Sequence, residues 1–449
     1  MKLTQLAASV GLAFALTGNA FAAVSAEEAA KLGGSELTAV GAERAGNADG
    51  SIPAWQENWQ GPNMPKEGGI YPDPFAGETA KFSINQANMA QYSDVLTPGT
   101  QELLKRWADY SVNVYQSHRV VDFPDWLKKA TIENATRAQS TEDGASLDGA
   151  MGGYAYPIPK TGAEAIWNHN LRYYGPPYRS RFTGWMVDST GNLIMTHDLE
   201  NYTESPYHEE PEKAAQYFQR RLSTYIGPAR MVGEKSLTYM TLNFQKDGAN
   251  KVWSYSQGQR RVRLAPDFGY DTPMTNAGGT YFFDELGMWE GQLDRFDFKL
   301  VGKKEMLVPY NNYKFLMYTA PKDAYGKQFA NPEAMRWEKH RVWVVEATLK
   351  AGKRHAQSKK VFYLDEDSWS IVLYEGYDQA GKLMRSAQGL ITYDWMTKSV
   401  PNTPMIMYDL VKGQYVSSMH LHGGSGYVRV DRWPNNRLTP DAMAGGGIR

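Results

Sequence analysis

The chain has 449 residues, and its 48 Lys and Arg against 49 Asp and Glu give a formal net charge of -1. This balance argues against a nucleic-acid-binding surface, which requires an excess of clustered basic residues. The absence of cysteine excludes disulfides, thiolate metal ligands, cysteine nucleophiles and a lipid-modified N-terminal cysteine. Aromatic residues make up 13% of the chain, with 28 Tyr and 13 Trp, and this composition favours strands over helices.

Residues 1–22 have the pattern of a cleavable signal peptide. Lys2 precedes an apolar stretch, residues 6–16, that is too short to span a bilayer. Residues 20–22, Ala-Phe-Ala, have the small-x-small form that a signal peptidase accepts, so we expect cleavage after Ala22, with Ala23 as the alternative. We therefore predict an exported, periplasmic protein, with association with the outer membrane as a further option.

The next segment, residues 23–85, is rich in Gly, Pro, Asn and Asp, which predicts a loop-rich N-terminal arm. We expect residues 86–449 to form a single domain. Helical spacing of apolar residues predicts a helix that begins near Thr97. Thr161 with Glu164 predicts the start of a second helix. A third helix is expected after Pro211, and a solvated loop is expected at residues 130–148.

From Thr183 onward the apolar residues follow the period of two that is typical of strands. Residues 184–187 and 193–196 flank a predicted turn, and residues 252–256 pair with residues 260–264. The last third predicts an antiparallel meander through strands at 341–349, 361–364, 371–374 and 390–393, because tight polar turns separate them. Several of these strands are apolar on both faces, so the sheet needs a cover on its concave face.

Motifs of catalysis are missing from the sequence. It contains no Gly-x-Ser-x-Gly, no phosphate-binding loop and no His-Glu-x-x-His. His420 and His422 would project to one face of a strand, but no third ligand lies nearby in sequence, so we favour a structural or surface role for them. The acidic run 365–367 falls at a predicted turn, where we expect solvated carboxylates. We predict no catalytic residue, no metal and no cofactor.

Two groups of residues are candidates for ligand contact. The first lies on predicted strands and is expected either to line an apolar cavity or to fill the core; it comprises Trp253, Tyr255, Trp343, Val345 and Phe362. The second is the basic cluster of Arg260, Arg261 and Arg263. These arginines would contact an anion or a lipid headgroup, or they would form cross-strand pairs with Asp and Glu.

Several stretches resemble a proteobacterial family of exported proteins that carry a domain of unknown function and are described as outer-membrane lipoprotein-sorting-like. The most specific runs are Gln-Arg-Arg-Val-Arg at 259–263 and Arg-Val-Trp-Val-Val-Glu at 341–346. Further matching stretches lie at residues 32–38, 41–47, 168–173, 252–255 and 308–313. The resemblance implies the fold of the lipoprotein localisation factors LolA and LolB, an incomplete antiparallel barrel whose concave apolar face is covered by helices.

The implied fold class is therefore mainly β, an α+β half-barrel with an extra arm and helical insertions. By analogy of fold, we expect a periplasmic carrier or chaperone that binds a lipid or a lipoprotein acyl chain. Expected partners are an exporter of the resistance-nodulation-division kind or an outer-membrane protein. Two alternatives stay open: a hydrolase acting on an envelope glycan or ester, and a non-enzymatic assembly partner of an outer-membrane barrel or exporter.

Overall fold

The computed structural model describes residues 24–141, 144–209, 213–265, 270–402 and 404–445. The predicted signal peptide and its cleavage site at Ala22 lie outside these residues. Among the described residues, no helix combines the length and the apolar character that a membrane crossing requires.

Strands dominate this part of the chain. In chain order they are β1 Gly68–Gly69, β2 Phe82–Ile84, β3 Val112–Val114, β4 Gln139–Ser140, β5 Leu147–Asp148, β6 Tyr178–Val187, β7 Leu193–Glu204, β8 Tyr217–Gly227, β9 Lys235–Thr241, β10 Lys251–Ser256, β11 Arg261–Leu264, β12 Phe296–Pro309, β13 Trp337–Leu349, β14 Lys359–Asp365, β15 Ile371–Tyr377, β16 Leu383–Gly389, β17 Met405–Asp409, β18 Gln414–His420 and β19 Gly426–Arg429.

One large sheet contains nearly all of these strands. Its antiparallel neighbours follow the order β11-β10-β9-β8-β7-β6-β18-β17-β16-β15-β14-β13-β12. No ladder between described residues joins β11 to β12 at the two ends, so the sheet does not close. The prediction of a large, incompletely closed antiparallel sheet is therefore confirmed.

Helices are short and lie on the sheet or at its rims. The α-helices are α1 Ala26–Ala29, α2 Pro98–Arg106, α3 Asp125–Arg137, α4 Gly162–Asn170, α5 Pro206–Glu209, α6 Phe244–Asp247, α7 Pro321–Ala324 and α8 Pro440–Gly445. Helix α2 begins after Thr97 and α4 after Thr161, as the sequence predicts, and each threonine hydroxyl accepts a hydrogen bond from the backbone three residues on. These bonds satisfy amide groups that a helix N-terminus leaves unpaired.

Three local predictions are wrong. The segment expected to be a helix after Pro211 forms β8, and both faces of β8 pack against protein, so its apolar residues do not alternate. The loop expected at 130–148 contains the second half of α3 and the β4–β5 pair. The strand expected at 390–393 ends earlier, at Gly389, because the following backbone bonds to loops: Leu390 N–H donates to the Pro404 carbonyl and Tyr393 N–H to the Tyr313 hydroxyl.

The segment between β11 and β12 positions the candidate site. We call residues 270–291 the cover segment; it contains the 3₁₀ turns Thr275–Ala277 and Phe283–Met288. The face of β6–β10 beneath it is the inner face, and the opposite face is the outer face. On β12–β16, α4 and the end of the cover segment fill the inner side with the main apolar core. There the ring centroids of Trp289 and Phe362 are 5.5 Å apart.

Candidate functional site

A cavity of about 470 Å³ lies between the inner face of β6–β10 and the cover segment. Its volume falls in the range of about 300 to 1,000 Å³ that is typical of small-molecule sites. Serines and an asparagine of β7–β10 leave room on this side of the sheet, whereas Phe362 and Tyr374 fill the same side of β14 and β15. The cavity is the candidate functional site.

Apolar side chains form two parts of the cavity wall. On the sheet, Phe182, Leu199 and Tyr225 are cross-strand partners on β6, β7 and β8, so their side chains stand in one row. The cover segment faces them with Met274, Tyr281, Phe283 and Leu286. A ligand in the cavity therefore has apolar surface on the cover side and along one row of the sheet.

A second row on the sheet is polar. Asn201 pairs with Ser223, Ser223 with Ser236, and Ser236 with Ser254, so four small polar side chains follow one another across β7–β10. All four line the cavity. We call them the polar row. Asn201 is 5% exposed, whereas Ser254 is an exposed residue, so the row leads from the buried interior to the mouth of the cavity.

The acidic, basic and histidine side chains in the wall are each engaged by other protein groups. Glu234 accepts hydrogen bonds from the Ser256 hydroxyl and the Gln257 backbone, and the Lys235 ammonium donates to the Met443 carbonyl. Arg221 on β8 and Glu290 on the cover segment form a two-fold ion pair, with both nitrogen–oxygen distances at 2.8 Å. Burial lowers the pKa of His197 to about 4, so its imidazole is neutral at physiological pH. The Arg221–Glu290 pair therefore links the cover segment to the sheet. Any movement of the cover segment that breaks this pair costs free energy.

A second set of polar contacts anchors the cover segment at Asp284 and Glu285. Lys360 on β14 and His355 each lie 3.0 Å from Oδ2 of Asp284. The side chains of Gln357 and Tyr374 donate hydrogen bonds to Glu285. Although burial raises the pKa of Asp284, the Lys360 charge and the His355 hydrogen bond hold it below its usual value, so this carboxylate is ionised. The cover segment is thus held at Asp284 by Lys360 and His355, at Glu285 by neutral donors, and at Glu290 by Arg221.

None of the five residues predicted for ligand contact lines this cavity. Trp253 and Tyr255 point to the outer face, where they pack with Leu438 and Met443 of the C-terminal segment. Val345 and Phe362 are cross-strand partners with no exposed surface, in the part of the inner side that α4 and Trp289 fill. Trp343 is half-buried and stacks on Trp369, with 6.1 Å between the ring centroids. Their role in ligand binding stays a prediction.

The predicted basic cluster lies next to the exposed end of the polar row, and none of its arginines is among the described lining residues of the cavity. Arg261 is the cross-strand partner of Ser256, and Arg263 is the partner of Ser254, so Arg263 continues the polar row onto the edge strand β11. Arg260, Arg261 and Arg263 are exposed. Within the described part of the chain, no carboxylate forms an ion pair with any of the three. The cross-strand acidic pairs that the sequence suggested are therefore not found among these residues.

The acidic run 365–367 is not solvated, contrary to the sequence-based expectation. Asp365, Glu366 and Asp367 are all at most 2% exposed. Arg119 binds both oxygens of Asp367, with Nε to Oδ2 at 2.8 Å and Nη2 to Oδ1 at 2.7 Å, and contacts Glu366 at 3.2 Å. The turn is buried because the N-terminal arm folds over it: Arg119 also donates to the backbone carbonyls of Glu43 and Ala45.

This buried cluster extends to β13. Its carboxylates are Glu338, Asp365, Glu366 and Asp367, and they face the basic side chains Lys303, Arg119, Arg336 and Arg341. Although burial raises the pKa of Glu338, the His340 hydrogen bond and the Arg336 charge lower it to about 2. His340, Asp365 and Asp367 offer ligand atoms within 4.8 Å of one another, but both Asp367 oxygens already accept hydrogen bonds from Arg119. The acidic and basic side chains of the cluster pair with one another, and these pairs hold the N-terminal arm against the turn at residues 365–367.

His420 is buried at the end of β18, and both of its ring nitrogens are used. The Tyr325 hydroxyl lies 2.9 Å from Nδ1, and the Thr319 carbonyl lies 2.9 Å from Nε2. Burial lowers its pKa to about 4. The ring of His422 lies 6.4 Å away between centroids. His420 therefore has the structural role that the sequence analysis favoured.

The sequence analysis missed the residues that form the cavity. Asn201, Ser223, Ser236 and Ser254 lie on four consecutive strands, β7–β10, and small polar residues at alternate strand positions are normally solvent-facing. Their alternation is the one signal present in the sequence. It becomes informative only with the strand register, which places the four side chains in one row.

Comparison with known proteins identifies the family. The family model described as "Protein of unknown function (DUF1329)" matches residues 83–444. A Pseudomonas aeruginosa protein described as "Uncharacterized protein PA3922" is 39% identical over 431 residues, which cover 93% of each chain.

Among solved structures, three similar chains are an outer membrane lipoprotein-sorting protein domain from Vibrio parahaemolyticus, a DUF1329 family protein from Desulfovibrio piger and a LolA superfamily protein from Nitrosomonas europaea. The first has a TM-score of 0.43 at 13% identity and covers 63% of this chain and 98% of its own. The second has a TM-score of 0.43 at 13% identity, covering 62% and 95%. The third has a TM-score of 0.38 at 11% identity, covering 63% and 100%. The extent of the family match shows that the chain belongs to the DUF1329 family.

Proposed function

We propose that this protein is a non-enzymatic periplasmic carrier that binds an amphiphilic lipid, or the acyl chain of a lipoprotein, between the inner face of β6–β10 and the cover segment. The observation that supports this most strongly is the 470 Å³ cavity with apolar side chains on both walls. The signal-peptide pattern of residues 1–22 supports the periplasmic location.

Binding would rest on burial of the apolar tail. Each methylene group removed from water contributes about 0.8 kcal/mol, so a ten-carbon chain provides about 8 kcal/mol before the cost of ordering the ligand. Such binding needs no covalent step. In this proposal, Arg261 and Arg263, which are exposed on β11 beside the polar row and have no ion-pair partner among the described residues, would contact an anionic headgroup.

Loading and release require the cover segment to move. The Arg221–Glu290 pair lies in the wall of the cavity and would open during this motion. The proposed recipient or donor is an envelope exporter of the resistance-nodulation-division kind or an outer-membrane protein, because an exported carrier needs a partner that supplies or takes the lipid.

A binding experiment with cavity-filling variants tests the proposal. Ser223→Trp places an indole in the cavity, and Thr224→Trp places the same group on the outer face of the same strand. The fluorescent apolar probe N-phenyl-1-naphthylamine should bind the wild type and Thr224→Trp, and Ser223→Trp should bind it at least tenfold more weakly. Equal binding to all three proteins would contradict a ligand site at this cavity.

A further inference from the structure

The polar row has hydrogen-bonding capacity that the protein does not use. The side chain of Asn201 is 95% buried, and its Oδ1 atom has no hydrogen-bond partner among the described residues. No described residue forms a hydrogen bond with the hydroxyl of Ser223, Ser236 or Ser254. A buried amide oxygen without a donor is costly, so in native proteins such an atom calls for a partner.

The polar row is longer than a single hydrogen-bonding group of a ligand could span. Adjacent strands are about 4.8 Å apart, so the three steps from Asn201 to Ser254 span about 14 Å along the inner face. An unsubstituted alkyl chain on this row would desolvate four polar side chains without replacing their hydrogen bonds with water. A ligand that carries hydrogen-bonding groups along one side would avoid that loss.

The other walls of the cavity indicate the polarity and the charge of the rest of the ligand. Opposite the polar row, the cover segment offers Met274, Phe283 and Leu286, so the second side of the ligand is apolar. Three basic or histidine side chains line the cavity besides its polar row: Arg221 is paired with Glu290, His197 is neutral, and the Lys235 ammonium donates to the Met443 carbonyl on the outer face. None of these described residues therefore offers an unengaged cation to a carboxylate or phosphate inside the cavity. The buried part of the ligand is therefore uncharged.

We infer that the cavity selects a hydroxylated amphiphile: an uncharged lipid moiety whose hydroxyl groups donate to Asn201 Oδ1 and exchange hydrogen bonds with Ser223, Ser236 and Ser254, while its apolar side faces the cover segment. A hydroxyl group fits this row better than an ester alone, because the unpartnered Oδ1 atom requires a donor and an ester has none. This inference rests on the proposed function, since it specifies the ligand of the same cavity.

Two uncharged esters of one chain length test it. The probes are 1-decanoylglycerol, which has two free hydroxyls, and methyl decanoate, which has none. Isothermal titration calorimetry with the full mature protein should show that 1-decanoylglycerol binds about tenfold more tightly, since each hydrogen bond formed in place of an unpaired buried group is worth about fivefold to tenfold in affinity.

Variants of the row should remove this preference. Asn201→Leu and Ser223→Ala should each weaken 1-decanoylglycerol about fivefold and leave methyl decanoate unchanged or tighter. Thr224→Ala, on the outer face of β8, should leave the preference as in the wild type. Ser223→Ala decides the outcome if Asn201→Leu fails to fold.

Three outcomes would overturn the inference, and they can be told apart from failure of the carrier proposal. Equal affinity of the wild type for both esters, or a preference that survives Ser223→Ala and Asn201→Leu, contradicts the selection of hydroxyl groups and leaves the carrier proposal standing. Binding of neither ester, in a protein that also fails to bind N-phenyl-1-naphthylamine, contradicts both.

Discussion

At the residue scale, Arg119 explains how a run of three carboxylates is buried at a turn. Its guanidinium binds both oxygens of Asp367 and the carbonyls of Glu43 and Ala45, and the side chain is 1% exposed. The turn and the N-terminal arm therefore share one cation. Burial of carboxylates in such a place is tolerated only while the paired charge and the hydrogen bonds are complete.

We expect Arg119→Met to lower the free energy of unfolding by about 3 to 5 kcal/mol, because it leaves Asp367 and Glu366 buried without their main partner. Urea denaturation followed by tryptophan fluorescence measures this loss. The matched control is Arg179→Met, whose partner Glu200 lies 3.6 Å away with both side chains about half exposed; it should cost less than about 1 kcal/mol. Equal losses in the two variants would show that the buried cluster does not stabilise the fold as described.

Asp365 gives the same cluster a defined pH dependence. Burial and the neighbouring Asp367 charge raise its pKa from 3.8 to about 6. The folded protein therefore takes up a proton at Asp365 between about pH 4 and pH 6 that the unfolded chain does not hold. The contribution of this residue to stability falls as the pH rises through that window.

Asp365→Asn should remove this slope, so that the variant gains stability relative to the wild type between pH 4.5 and pH 6.5. The largest gain that the raised pKa allows is about 3 kcal/mol. Urea denaturation at steps of half a pH unit measures the difference, and Asp94→Asn, at an exposed position, should leave the slope as in the wild type. A wild-type slope retained in Asp365→Asn would contradict the assigned titration.

At the element scale, the cover segment is the part of the fold that a carrier must be able to move. Its two anchors differ: Asp284 and Glu285 are buried against Lys360, Gln357 and Tyr374, whereas Glu290 meets Arg221 beside the cavity. The first anchor has several buried partners, so it suits a hinge. The second anchor, the Arg221–Glu290 pair, is the contact that would break when the ligand is released.

Glu290→Gln should loosen the cover segment without unfolding the sheet, because it removes the ionic partner of Arg221 and leaves the anchor at residues 284–285 intact. Peptide-level hydrogen exchange should show faster exchange in residues 270–291, and release of a bound probe should be at least several-fold faster. The control Glu200→Gln, at an exposed pair, should change neither rate. Unchanged exchange in Glu290→Gln would mean that the pair does not hold the cover.

Element predictions from the sequence succeeded where local rules decide the structure. The hairpins at residues 184–196 and 252–264 and the starts of α2 and α4 depend on turn residues, alternation and caps, and all are present. Strand β8 was predicted to be a helix because protein covers both of its faces and alternation is lost. The buried turn 365–367 could not be predicted, since its partner Arg119 lies about 250 residues away in sequence.

At the scale of the whole molecule, one open sheet is used in two ways. Between β12 and β16 its inner side is filled by α4 and the end of the cover segment, and at β6–β10 the same side leaves a cavity. The resemblance implied a covered apolar face, and the predicted site residues Val345 and Phe362 lie on the filled half of it. Which half is open depends on the small side chains of the polar row and on the path of the cover segment, and neither follows from local sequence patterns.

The strands of the N-terminal arm are paired within the chain: β1 pairs with β19, and β2 with β3. The arm therefore forms part of the same molecule-wide sheet, and Arg119 joins it to the turn at 365–367. This arrangement supports the carrier proposal over an arm whose strands dock on a partner protein, since those strands already have neighbours.

The most direct test of the carrier proposal is to purify the mature protein from the periplasm, extract it with organic solvent and identify the extracted molecules by mass spectrometry. We predict close to one amphiphile per chain in the wild type and in Thr224→Trp, and little or none in Ser223→Trp. Wild-type protein that carries no amphiphile, or the same amphiphile in equal amount on Ser223→Trp, would contradict binding in the cavity between β6–β10 and the cover segment.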